Sequence, residues 1–125
     1  MRDDVREPLR PGDTDRLAFV LKALSHPVRL EIVSMLAAAA RLGIPDIEWG
    51  DTGEVCVCRI NQRFELSAPA LSHHLSVLRH AGLVETRRDG ARILYRFNEA
   101  VARDAVGALA LLAGLDDSAL PLPRL

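Results

Sequence analysis

The sequence predicts a single, mainly α-helical domain that carries one β-hairpin. Three observations lead there. Apolar residues recur at helical spacing in several separate segments. One Asp-Gly pair, Asp89-Gly90, lies between two segments of strand-like residues, the favoured setting for a tight hairpin. The chain has 125 residues, 49% hydrophobic and 26% charged, which is enough to bury one core without disulfide staples.

The first helix begins after Asp13 and puts Leu17, Val20, Leu21 and Leu24 on one face. Ser25-His26-Pro27 starts the second: Ser25 caps it, and Pro27 stands where a missing N–H costs nothing. His26 is read as a cap or turn residue. Leu30, Val33, Ala37 and Ala40 form the buried stripe of this helix, and Gly43 stops it. Residues 44–53 are a loop whose Trp49 packs back onto the body. A third, short helix runs from Glu54 to Phe64 with Val57, Ile60 and Phe64 inward. Ser67 caps the fourth, residues 68–81, which turns Leu71, Leu75 and Leu78 to the core and ends at Gly82. Two strands follow, 83–88 and 91–97, joined through Asp89-Gly90 as a type I′ turn. In the last helix, 99–115, apolar residues from Val101 to Ala113 cover more than half the circumference. Such a helix asks for burial on two sides, and a homodimer interface supplies the second. The whole of 1–125 is one domain, with 1–13 and 116–125 as loose tails.

Several classes are excluded. No apolar stretch approaches the ~20 residues of a membrane span, and the polar start MRDDVREPLRPGDTD lacks the apolar core of a secretory signal. A cytoplasmic address with no membrane partner is the default. Two cysteines spaced C-x-C are no disulfide framework. The phosphate-loop, nucleophile-elbow and zinc-protease motifs are all missing, and the acids are scattered, so no enzyme is expected.

The net charge of −1 argues against a nucleic-acid partner only until it is divided. Between Val55 and Arg96 lie seven arginines (59, 63, 79, 87, 88, 92 and 96) and three acids, a formal +4, leaving −5 for the remainder. Local basicity is what phosphate contacts require.

Three helices, a turn, a fourth helix, a hairpin and a last helix make the order of a winged helix-turn-helix. The third helix supports, and the fourth enters the major groove of double-stranded DNA. Short polar side chains on its exposed face let the backbone approach base edges. Ser67 and Ala70 at its start, then Ser72, His73, Ser76 and Arg79, are the candidate contacts, and Arg87, Arg88 and Arg92 of the wing hold the DNA backbone. A winged helix that binds only protein is the competing reading, and a salt-insensitive interaction would favour it.

The stretches ALSHPVRLEIVSML and SAPALSHHLSVLRHAGLVETRRDGARILYRF resemble the ArsR/SmtB family of bacterial metal- and metalloid-responsive repressors, with a similarity covering about residues 16 to 115. The resemblance implies a dimeric repressor that binds operator DNA and leaves it on binding an inducer. No cofactor is required.

Glu54-Val55-Cys56-Val57-Cys58 is similar to the E-L-C-V-C stretch of arsenic-sensing members, which implies As(III) or Sb(III) as inducer with Cys56 and Cys58 as ligands. Thiolates suit such soft centres. The third cysteine often found three positions later is Asn61 here, and Asp51 or Glu54 stays open as a further ligand. Within one helix, residues i and i+2 point about 200° apart. Ligand binding is therefore expected to unwind the helix near 55–58 and move the recognition helix. The alternatives are thiol oxidation or a persulfide, ranked lower because a helical C-x-C closes poorly into a disulfide, and a divalent metal. His73 and His74 point about 100° apart and do not chelate together; His73 is read toward DNA and His74 as a packing residue. The last helix has Glu99 and Asp104 but no His, against the ion site some members carry there.

Overall fold

A computed structural model describes residues 9–42 and 53–114. Among them no helix is long and apolar enough to cross a membrane. The expected stop at Gly43, the loop around Trp49 and the tail from Asp116 lie outside the described residues.

Helix α1 spans Pro11–Leu24. It starts earlier than expected, because Pro11 takes the first helical position and the Thr14 N–H bonds back to the Arg10 carbonyl at 2.9 Å. Leu17, Val20 and Ala23 are buried, whereas Leu21 faces outward. Helix α2, Pro27–Leu42, is capped by His26 and not by Ser25. The His26 Nδ1 accepts from the Val28 N–H at 3.1 Å, while the Ser25 hydroxyl donates backward to the Lys22 carbonyl at 2.7 Å and closes α1. The buried stripe of α2 is also rotated from the expected one. Ile32 and Leu36 are fully buried, and Leu30 is 52% exposed. Both stripes satisfy the helical period, and the elements packed on α2 select between them.

The largest departure comes next. Residues Glu54–Cys56 form a strand, β1, and only Val57–Arg63 form helix α3. Helix α4 spans Ala68–His80, and strands β2 (Val84–Asp89) and β3 (Arg92–Phe97) make the hairpin. The sheet therefore has three antiparallel strands in the order β1-β3-β2, not two. Glu54, Val55 and Cys56 stand opposite Arg96, Tyr95 and Leu94. Asp89 pairs with Arg92, so the hairpin loop is Gly90-Ala91. Gly90 has φ +65°, and among the described residues only glycines have positive φ, which is the sign pattern of a type II′ loop and not type I′. Helix α5 covers Glu99–Leu112.

One core gathers Val20, Ile32, Leu36, Val55, Ile60, Leu71, Leu75 and Leu78 from the helices and β1, with Leu83 from the turn after α4. Ile60 and Leu78 are fully buried. Both belong to this one core, so α3 and the inner face of α4 are anchored in it while the outer face of α4 is left to solvent.

Candidate nucleic-acid interface and thiol site

Helix α4 is built to present one polar face. The Ser67 Oγ accepts from the Ala70 N–H at 3.2 Å, satisfying one of the free donors of the first turn. Leu71, Leu75 and Leu78 are buried. Ser72, His73 and Arg79 are exposed, and Ala70 and Ser76 are half-buried. His80, for which the sequence raised no expectation, joins this face. Its Nδ1 lies 2.8 Å from the Ser76 carbonyl, which only accepts, so Nδ1 carries the proton. The signal in the sequence was the Ser76/His80 spacing of four.

His74 turns the other way. Arg29 Nη1 donates to its Nδ1 at 3.1 Å, and its ring lies tilted against that of His26, with centroids 4.4 Å apart and 52° between the planes. Arg29 Nε donates to the Ala23 carbonyl at 2.6 Å. Burial, then the neighbouring His26, Arg29 and His73, hold the His74 pKa below its usual value. This cluster pins the recognition helix to the corner between α1 and α2.

The three wing arginines differ in setting. Arg88 is exposed on β2. Arg92 reaches Asp89 at 3.5 Å across the loop. Arg87 gives two N–H donors to Glu54, Nε to Oε2 at 2.8 Å and Nη2 to Oε1 at 2.7 Å. Glu54 is the one buried charged side chain among the described residues, 5% exposed. Burial pushes the Tyr95 phenol pKa above its usual value, and the charge of Arg79 opposes that push in part.

The cysteines do not share a helix. Cys56 ends β1 with φ −66° and ψ 143° and is the N-cap of α3, while Cys58 lies in the first turn. The extended backbone at Cys56 replaces the 200° separation with a convergence. The two sulfurs are 2.7 Å apart, and the Cys58 N–H points at the Cys56 sulfur at 3.4 Å. Cys56 is buried and Cys58 exposed, so the site opens on one side. No helix has to unwind for both sulfurs to reach one centre, which corrects the expected mechanism. The same geometry removes the reason for ranking a disulfide lower. Among the described residues no group of three or more His, Cys, Asp or Glu could hold a metal ion. Glu54, considered as a further ligand, is committed to Arg87.

A helix-supported recognition helix beside a three-stranded wing defines a DNA-binding winged helix-turn-helix regulator. Comparisons with known proteins carry the assignment further. Residues 51–86 match the model of the bacterial regulatory protein, arsR family. The chain is 39% identical over 113 residues to the biofilm growth-associated repressor of Xylella fastidiosa, covering 87% of each chain. It is 34% identical over 96 residues to the arsenical resistance operon repressor of Staphylococcus aureus, covering 77% of this chain and 79% of that one. The crystal structure of the transcriptional repressor BigR from Xylella fastidiosa superposes with TM-score 0.56 at 36% identity, covering 82% of this chain and 88% of that one. The chain belongs to the ArsR family and is a DNA-binding transcriptional repressor, not an enzyme.

Proposed function

We propose that the protein is a homodimeric, metalloid-responsive repressor of cytoplasmic address. It holds operator DNA through α4 and the wing and releases it when As(III) or Sb(III) bridges Cys56 and Cys58. The observation that carries this reading is the 2.7 Å convergence of one buried and one exposed sulfur. Trivalent arsenic in water is a trihydroxide. Two thiols replace two of its hydroxides, each thiol proton leaving with a hydroxide as water, and the oxidation state does not change. The third position keeps a hydroxide or takes an external thiol. A ligand that prefers the conformation with lower DNA affinity then releases the operator by linkage.

The roles of the DNA face follow from placement. Ser72, His73, Ser76 and Arg79 read or touch the major groove, with Ser67 and Ala70 at its edge, and Arg88 and Arg92 meet the DNA backbone. The Cys56→Ser/Cys58→Ser variant is expected to bind operator as the wild type does and to ignore As(III). Loss of operator binding by a folded variant would make the pair structural. A second reading, oxidation of the pair to a disulfide, is favoured by the same sulfur distance. Operator release titrated with As(III), Sb(III), Zn(II), Cd(II) and peroxide separates these inducers.

A further inference from the structure

Arg87, Leu94 and Cys56 stand in one row across β2, β3 and β1, so their side chains leave the same face of the sheet. Glu54, two residues before Cys56, shares that face. Leu94 between them is fully buried. The Arg87 guanidinium crosses β3 to grip Glu54 with two parallel N–H bonds at 2.7 and 2.8 Å. A wing strand thereby clamps the short strand whose last residue is a candidate sensor thiol. Arg88, the next residue, leaves the opposite face; both residues are exposed, Arg87 with 48% of its side chain, so what sets Arg87 apart is its fork on Glu54 and not its access to solvent.

A carboxylate buried to this degree is stable as an anion only with its partner in place. The fork also occupies two of the guanidinium's donors in a fixed plane. We propose that Arg87 is a positioning residue: through Glu54 it ties the wing to the cysteine segment, and it is not a phosphate contact. A centre held between the two sulfurs must part them from their 2.7 Å contact, and that displacement acts on Cys56, which is both the end of β1 and the cap of α3. Glu54 moves with β1, and Arg87 follows because leaving the buried carboxylate unpaired is costly. The wing then shifts without any change inside α4. The transmission half of this inference rests on the inducer reading above; the role of Arg87 toward DNA does not.

The test uses the full-length protein with Arg87→Gln, Arg87→Lys and Arg88→Gln, each checked for folding by circular dichroism. Affinity for a random-sequence duplex is measured across a salt series. Removing one arginine–phosphate pair should flatten the dependence of log affinity on log salt by about 0.9, so a substitution that removes one pair from each protomer of a bound dimer flattens it by about twice that. Arg88→Gln is expected to flatten it, and Arg87→Gln to leave it as in the wild type. Equal flattening in both overturns the positioning role. Phenylarsine oxide, which bridges two thiols with release of water, then serves as the probe on a duplex selected for tight binding. The ratio of DNA affinities without and with the probe is expected to fall at least about fivefold, toward unity, in Arg87→Gln. Arg87→Lys, which keeps the charge but loses the fork, should fall with it while binding one equivalent of probe. A wild-type ratio in both variants overturns transmission through Glu54. A wild type that takes up the probe and keeps its DNA affinity overturns the inducer reading and transmission together, and the salt series still decides the role of Arg87.

Discussion

Ser67 and His74 have local tasks that single substitutions isolate. The Ser67 hydroxyl is spent on the Ala70 N–H. Ser67→Ala should therefore cost about 1 kcal/mol of stability, read from urea unfolding; an unchanged midpoint would show that water replaces the cap without loss. His74 must be neutral at Nδ1 to accept from Arg29, because a guanidinium only donates. Its folded pKa lies below the ordinary 6.5. The unfolded chain then takes up a proton before the folded one does, so the contribution of His74 is complete above about pH 6.5 and declines as pH falls below it. Unfolding midpoints measured against pH should fall more steeply on the acid side in the wild type than in His74→Gln, and parallel curves would remove His74 as the cause.

The end of α4 shows how much a short segment can settle. Gly82, with φ +78°, lets its N–H reach the Arg79 carbonyl at 3.0 Å while the Leu83 N–H reaches that of Leu78 at 3.1 Å. That is a Schellman motif, with its apolar contact between two fully buried leucines, Leu78 and Leu83. Leu83 in turn accepts from the Asn98 N–H at 2.9 Å, which places the start of α5. Gly82→Ala would force a left-handed residue and bring its Cβ to 3.4 Å from Val101 Cγ2. A loss of about 1–2 kcal/mol is expected in the same unfolding assay. Such stops, like the Ser67 cap, are written in consecutive residues and were readable from the chain. The switch from strand to helix at Cys56 was not. Three residues, Glu54–Cys56, carry too little periodicity to declare a strand, and they form one because the free edge of β3 supplies the partner.

In the monomer α5 buries only Ala110, leaving Val106, Leu109, Leu111 and Leu112 exposed, while α1 exposes Phe19 and Leu21. Between the two helices runs a groove of about 760 Å³ lined by Leu17, Phe19, Val101, Ala105 and Leu111. A second copy packed here would cover these faces and set two recognition helices on one duplex. Val106→Glu/Leu109→Glu is expected to sediment as a monomer and to bind operator at least about a hundredfold more weakly, through loss of avidity. A variant that stays dimeric with full affinity would move the interface elsewhere. The charge division has a similar consequence. The basic segment of one chain is small, but a dimer places two of them on the same DNA, and the field at that face exceeds what a net charge of −1 suggests.

By itself the sequence determined the features that depend on near neighbours along the chain: the helical periods, the Ser67 cap, the polar and apolar faces of the recognition helix, the stop at Gly82, the hairpin and the pattern of the family. Tertiary structure alone decided which face of α2 is inside, whether Cys56 is extended, how close its sulfur comes to that of Cys58, and that Arg87 answers Glu54 from 33 positions away. The reason is one of range. Periodicity and capping act within a few residues, whereas strand pairing, the choice between two equally periodic faces and the partner of a buried charge are fixed only by what packs against them.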